Sequence, residues 1–543
     1  MKRRSLAFAL FLLIGGAMLH GQQMYKYWVA FTDKDGSPFR IDSPERFLSS
    51  RALERRQRFG IAVDSLDLPV NPSYIASLRQ AGFTVQNRSK WLNGVVVFSL
   101  GKVDMDDFAP FPFVDTVILC DNSSVSLPDT EVSNYGYEHH RFRSPQPFSY
   151  EYYAGAYVQI EQLRGRALHA AGFQGQGVII GVCDCGFPGV DTTAIFAPMR
   201  SGGRLLATRD FVWANENNVF TMHSHGTHVL STMAAYVPGL YVGTAPKASY
   251  VLCRTENPLT ETPLEEYNWV AAVEYLDSLG ADVISTSLGY FNYDDSTFSY
   301  TLADLDGATA PISRGAAVAA TRGLLVVNSA GNDGEALPQH LNVPADVPQV
   351  LTVGAVDSAG LHARFSAHGP TATGHRKPDM MAMGERVLSA SPDGLFRYTN
   401  GTSLSCPIMA GMMACLMQRF PALTPGQLCD SVRAWGSLAA SPTDEMGYGI
   451  PDFSLALRTP ASVNDILGIQ PFRLSPNPAK GWVTLSLPSR PEGCRMVVTD
   501  MMGRTMLSQC IRQTETRICV DSWPAGTYFV HVDGNVAKLI VGR

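Results

Sequence analysis

The sequence predicts an α/β protein: an αβα sandwich with a parallel sheet, preceded by a small α+β domain and followed by a small β-sandwich. Three observations carry this. Between about Ala154 and Arg458, short continuous apolar runs alternate with segments of helical period, and strands apolar on both faces belong to a parallel sheet covered by helices on each side. From Met24 to about Leu100, short strands and amphipathic helices alternate. After Pro460 the apolar spacing turns to period two, broken by Gly, Pro and Asp-Gly turns, as in a sandwich of six or seven short strands. At 543 residues the chain exceeds one ordinary core, so several domains are expected.

The elements follow in order. Lys2, Arg3 and Arg4 precede an apolar run from Leu6 to Leu19 and then small and polar residues. This predicts a secretory signal peptide over residues 1–21. The alternative is a retained anchor, for which the run is short and interrupted by Gly15 and Gly16. No later segment is apolar enough to cross a membrane, so the mature protein is expected to have no transmembrane helix. Residues 22–128 contain YKYWVAFTD as a strand, SPERFLSSRALERRQRFG as a helix, then PVNPSYIASLRQAGFTV and NGVVVFSL; this reads as an α+β domain with an antiparallel sheet. Apolar periodicity is lost over 129–153, which is expected to be a linker.

The central domain is expected over 154–458. Its apolar runs are GVIIGVC (177–183), ASYVLC (248–253), ADVISTSLG (281–289), LLVVNSAG (324–331) and VLTVGAV (350–356). Trp269, Ala272, Val273 and Leu276 recur between two of them at helical spacing. In such sheets ligands bind beyond the carboxyl ends of the strands. A second linker is expected over 459–469 and the β-sandwich over 470–543.

Composition excludes some classes. Hydrophobic residues make up 45%, charged residues 17%, and the formal net charge is -6. That describes a folded protein with no polycationic surface, so no nucleic-acid partner is expected. The ten cysteines are scattered, with Cys120 alone near the start, six from Cys183 to Cys429 and three near the end. Free cysteine is often a small buried apolar residue, so free thiols are expected.

Amide hydrolysis by a serine needs a base, an acidic residue to orient that base, and donors for the oxyanion. Asp184 ends the strand GVIIGVC, His225 stands at a helix start in HSHGTHVLSTMAA, and Ser403 stands at another in GTSLSCPIMAG. Asn332 follows the strand LLVVNSAG and can present an amide. Each residue alone reads as a turn, cap or packed side chain. Their placement on separate strand-to-helix junctions is what one shared sheet edge requires.

In that order, VCDCGF, His-Gly-Thr-His, SAGN and Gly-Thr-Ser-x-x-x-Pro resemble the subtilisin family (peptidase S8) of serine peptidases. TSLG at 286–289 and KPDMMAMG at 377–384 resemble two further stretches of that family, and the likeness spans about Gln162 to Leu457. The resemblance implies a subtilisin-like fold. It also implies Asp184, His225 and Ser403 as the triad, Asn332 and the Ser403 N–H as the oxyanion hole, and Ser287, Leu288, Gly289 and Gly331 as substrate-binding residues. The sequence departs from the family at Cys185, where Ser or Thr is usual, and at Leu404-Ser405-Cys406, where Met and small residues are usual. Residues 22–128 resemble the inhibitory propeptides of such enzymes. The end of the chain, with Pro476, Asn477, Pro478 and Gly481, then Gly526, Tyr528, Phe529 and Val530, and the run Lys538 to Val541, resembles the C-terminal sorting domain of type IX secretion. The implied protein is a zymogenic endopeptidase acting on protein or peptide substrates, secreted or at the cell surface after transit through periplasm and outer membrane.

Rival readings stand beside this one. His223, His225 and His228 form His-x-His-x-x-His, which would suit a zinc-dependent hydrolase. A pseudopeptidase would use the groove beside Ser287 only to bind peptides. The C-terminal sandwich could be an immunoglobulin-like adhesion module, and Cys406 a rival nucleophile. Asp294-Asp295 reads as a solvated turn, and neither metal nor cofactor is expected.

Overall fold

A computed structural model of the chain describes residues 24–123, 146–213, 218–458, 472–487, 494–501, 504–532 and 535–542. The expected signal peptide, the body of the first linker and the second linker lie outside them. The described chain forms two units, one ending at Leu457 and one holding the C-terminal strands.

The first unit starts with strand β1 (Tyr25–Phe31), helix α1 (Ser50–Phe59), helix α2 (Pro72–Gln80) and strands β2 (Thr84–Ser89), β3 (Gly94–Ser99) and β4 (Val114–Asp121). The strands form an antiparallel sheet in the order β2-β3-β1-β4. Both helices start at side-chain caps: Ser49 accepts the Ala52 N–H, and Asn71 accepts the Ser73 N–H ahead of Pro72. Alternation along β1 sends Tyr27, Val29 and Phe31 to one face, where Ile75 and Leu78 of α2 cover them. It sends Trp28 to the other face. A lone four-stranded sheet would leave that second face wet; here it is buried against the central domain.

The central domain contributes β5 (Ile179–Asp184), β6 (Leu205–Asp210), α3 (His225–Ala234), β7 (Ser249–Arg254), α4 (Leu264–Leu279), β8 (Val283–Thr286), α5 (Pro311–Thr321), β9 (Leu325–Ser329), β10 (Leu351–Val356), β11 (Met380–Met383), α6 (Thr402–Arg419) and α7 (Pro425–Ala434). The seven strands are parallel in the order β11-β10-β9-β8-β5-β7-β6. Helices α4 and α5 pack on one face, with Trp269, Ala272, Val273 and Leu276 buried. Helices α3 and α6 cover the other. The five apolar runs are five of the strands. β6 was not among them because it is an edge strand with half-exposed side chains, and β11 because its buried residues are methionine and alanine rather than β-branched. The segment read as a linker up to residue 153 is helical at Tyr150–Tyr153. Tyr152 and Tyr153 are buried, and the Tyr153 hydroxyl lies 2.8 Å from His169 Nδ1, which draws that stretch onto the central domain.

Helix α4 also receives the N-terminal domain. Trp28 stacks on Tyr267, with ring centroids 4.5 Å apart. One turn from the end of α4, fully buried Asp277 meets Arg55 and Arg56 of α1 and Lys90. Arg56 also pairs with Asp67 at 2.8 Å, and Arg322 reaches the same Asp67. Glu274 accepts the Ser89 hydroxyl and the backbone N–H groups of Lys90 and Trp91. This part of the seam is therefore polar and rich in charge-assisted hydrogen bonds.

The C-terminal unit has strands β12 (Arg473–Lys480), β13 (Trp482–Ser486), β14 (Cys494–Asp500), β15 (Thr505–Ile511), β16 (Glu515–Cys519), β17 (Gly526–Val532) and β18 (Asn535–Val541) in the order β15-β14-β17-β18-β12-β13-β16. Tyr528, Val530 and Val532 alternate into a core with Val483, Leu485 and Leu539. Pro476 and Pro478 have no N–H for a ladder. Asn477 between them substitutes its side chain, donating to Lys538 O and accepting from Ile540 N, both at 2.8 Å. Every cysteine whose side chain is described is a free thiol.

Candidate active site

Parallel strands present their last residues along one edge, and the expected site residues sit there. Asp184 is the last residue of β5, His225 the first of α3, and Ser403 the second of α6; Asn332 lies three residues beyond β9. Two glycines make these junctions possible. A Cβ on Gly226 would fall 2.3 Å from Gly186 O, so the first turn of α3 can sit against the Asp184 loop only without a side chain. Gly401 has φ +148°, and a Cβ there would crowd the Ser403 hydroxyl at 2.8 Å.

Asp184 is fully buried, accepts the Cys185 N–H at 2.8 Å, and lies 2.9 and 3.0 Å from His225 Nδ1. A carboxylate only accepts, so Nδ1 carries the proton and Nε2 is left as a lone-pair acceptor. Burial opposes a charge on this ring, but the Asp184 carboxylate outweighs it, and the imidazole pKa stands above the ordinary value. Ser403 is 8% exposed. Its N–H belongs to the first turn of α6, where N–H groups have no acceptor within the helix. Its hydroxyl forms no hydrogen bond with another described residue.

Pro407 explains a further link. It lies four residues after Ser403 inside α6 and has no N–H to donate to the Ser403 carbonyl. That carbonyl instead accepts the Ser287 hydroxyl at 2.8 Å, tying the chain just after β8 to the start of α6. Asn332 is oriented as firmly. Thr402 donates its N–H and its hydroxyl to Asn332 Oδ1, at 3.0 and 3.1 Å, which leaves the Nδ2 donors for other partners.

These groups meet in a cavity of roughly 520 Å³. His225, Ser403, Asn332, Ser287, Leu288, Gly289 and Gly331 all line it, and Asp184 lies behind His225. Gly289 and Gly331 face Asn342, close enough that a Cβ on either would come within 2.7 or 3.1 Å of it. Asn342 was not foreseen at this cavity, nor were Glu256 and Glu261, and Asp294, read from the sequence as part of a solvated turn, lines it with them. Cys185, expected as a packed thiol, also borders the cavity; its Sγ lies 3.3 Å from Asp184 Oδ1 and 3.6 Å from His223 Nδ1.

The zinc reading of His223, His225 and His228 does not survive. His228 Nδ1 and Nε2 bond Ser389 and Ser391 at 2.9 and 3.3 Å, and burial lowers its pKa to about 4. Asp184, Cys185 and His225 do bring ligand atoms within 4.8 Å of one another. Burial, with Asp184 beside it, raises the Cys185 thiol pKa, so the thiolate a metal needs is disfavoured. Cys406 is not a rival nucleophile. It donates to Thr286 O and Val327 O beneath the sheet edge, away from the cavity, and burial pushes its thiol up to about 12.

Comparison with known proteins gives this edge its context. The subtilase family matches residues 175–450, the peptidase S8 propeptide domain of Bacteroidota residues 26–134, and the secretion system C-terminal sorting domain residues 473–541. Subtilisin E of Bacillus subtilis (strain 168) is 30% identical over 289 residues, 53% of this chain and 67% of that one. Subtilisin of Bacillus pumilus is 30% identical over 285 residues, 52% of this chain and 92% of that one. The crystal structure of MycP1 from Mycobacterium smegmatis is 24% identical, with a TM-score of 0.43, over 56% of this chain and 85% of that one. With a family match over half of its length, bounded by that family's propeptide and an export domain, the chain belongs to the subtilase family of serine peptidases.

Proposed function

We propose that this exported serine endopeptidase cleaves peptide bonds with Ser403 as nucleophile, His225 as general base and acid, and Asp184 as the residue that orients and stabilises the imidazolium. The observation that carries the reading is the Asp184–His225 contact at 2.9 Å beside a cavity shared with Ser403 and Asn332. In the reaction, Ser403 Oγ adds to the scissile carbonyl carbon as its proton passes to His225 Nε2. The negative charge that develops on the carbonyl oxygen is met by Asn332 Nδ2 and the Ser403 N–H. His225 then protonates the departing amine, and water, deprotonated by the same nitrogen, releases the acyl group. The segment Ser287 to Gly289 is suited to hold the substrate backbone as an added strand, with Gly331 opposite.

The protein is made as a zymogen with an N-terminal propeptide and carries a sorting domain for export to the cell surface or medium. We assign the maturation cut to the linker over 129–153, and we assign the type IX secretion machinery as the partner of the C-terminal domain. Among the described residues no helix is long and apolar enough to cross a membrane.

Fluorophosphonate labelling tests the assignment. The probe should modify the wild-type protein at Ser403 and leave Ser403→Ala unmodified, with a loss of roughly 10⁶ in turnover. A processed, folded wild-type protein that neither labels nor hydrolyses peptides would mark a pseudopeptidase and overturn the proposal.

A further inference from the structure

One wall of the cavity is acidic. Glu256, Glu261 and Asp294 line the same cavity as Asn332 and Ser403, on the chain that follows β7 and the chain that follows β8. Glu256 is more than nine-tenths buried, at 8% exposure. The Tyr290 hydroxyl donates to its Oε1, and the Thr255 side chain also acts on the carboxylate as a hydrogen-bond partner. The carboxylates of Glu256, Glu261 and Glu265 approach within 4.8 Å of one another. No lysine or arginine among the described residues pairs with any of them; the charges that act on Glu256 are Glu261 and Asp184, and the charge that acts on Glu261 is Asp294. Burial first, and then these like charges, raises both carboxyls, Glu261 to about 7. Buried carboxylates without a counter-charge are costly to hold ionised, and a desolvated cation placed among them removes that cost.

A cavity that holds the nucleophile must also hold a peptide, and its side chains have to meet this wall. We infer that Glu256, Glu261 and Asp294 form a subsite for a lysine or arginine side chain of the substrate, within a few residues of the scissile bond. The inference rests on the reading of this cavity as the catalytic cleft. A guanidinium or ammonium has several N–H donors and can reach the carboxylates of Glu256 and Glu261 together. A divalent cation fits less well, because Glu265, the third carboxylate, spends its two oxygens on the N–H groups of Asn257 and Thr262, at 2.7 and 3.3 Å. One basic peptide of the required kind lies in the chain itself: Arg141-Phe142-Arg143, between the regions matched by the propeptide and the peptidase.

The test uses the matured enzyme and a peptide series on one scaffold, with Arg, Lys or Gln placed in turn at each position around the scissile bond. Arg or Lys at one position should raise kcat/KM about tenfold over Gln. That ratio should fall toward one in Glu261→Gln and in Asp294→Asn, the two less buried members, whichever of them folds best. Equal cleavage of all peptides by the wild type, or a ratio that persists in both variants, overturns the subsite. So does a calcium-dependent rise in thermal stability that Glu256→Gln abolishes, since the cluster would then hold a metal. If Gln peptides are hydrolysed and Ser403 still labels with fluorophosphonate while the ratio is one, only the subsite fails; if nothing labels and nothing is cleaved, the catalytic reading fails with it.

Discussion

Replacing Asp277 by Asn removes one charge at nearly constant volume from the seam between propeptide and peptidase. Asp277 sits on α4 with a side chain 0% exposed, and its three cationic partners, Arg55, Arg56 and Lys90, are 1%, 2% and 9% exposed. All three come from the propeptide. In the variant Arg56 keeps Asp67, and Arg55 keeps the carbonyls of Ala281, Asp277 and Arg322, but Arg55 and Lys90 have no carboxylate left among these contacts. Breaking a buried pair from one side costs about 3–5 kcal/mol, and the retained contacts place this case near 3 kcal/mol. Denaturant unfolding of the full chain before the propeptide is removed should record that loss. The matured enzyme, whose position 277 then faces water, should change by less than about 0.5 kcal/mol. Equal destabilisation of both forms, or of neither, would refute the argument. Acid should mimic the substitution. Burial opposes the Asp277 charge, but Lys90, Arg55 and Arg56 overcome it and depress the pKa below 3.8. A depressed carboxyl contributes stability above its unfolded value and loses it as pH falls through the folded one, so the contribution disappears only below about pH 4.

Further outcomes are open to measurement. Because the His225 pKa is raised and the base must be neutral, the acid limb of kcat/KM should lie above the ordinary histidine value of 6.5. Asp184→Asn should move that limb to lower pH and cut kcat by roughly 10⁴. Asn332→Ala should lower kcat by about 10²–10³ in steady-state assays with little change in KM, since its amide meets charge that exists only in the transition state. A chain ending at residue 458 should fold and hydrolyse peptides but remain unexported, because the C-terminal strands close a core of their own; loss of solubility or activity in that truncation would contradict separate cores.

The sequence exposed those features whose cause is local. Runs such as GVIIGVC are apolar because β5 is covered on both faces, and the glycines of HGTH and NGTS mark backbones that approach too closely for a Cβ. Edge strand β6 is half wet and left no such run. The acidic wall was invisible because Glu256 and Asp294 come from different strand ends, and only the register of the sheet brings them to one cavity. Nothing local in SPERFLSSRALERRQRFG marks Arg55 and Arg56 as buried; their partner is the Asp277 carboxylate more than two hundred residues away. Asn477 carried a family likeness without a reason until the two prolines beside it were seen to leave their ladder positions empty.

The Ser287–Ser403 hydrogen bond reaches past local stability. One of its ends belongs to the segment proposed to hold the substrate backbone, the other to the residue proposed to attack it. Thermal displacements of the two are thereby correlated, and the distance from hydroxyl to scissile carbon depends on their difference. Correlation makes that difference smaller than it is for two independent motions. Misplacement by about 1 Å can cost two orders of magnitude in rate, so Pro407, by leaving the Ser403 carbonyl to the Ser287 hydroxyl, acts as a noise filter on the geometry of attack.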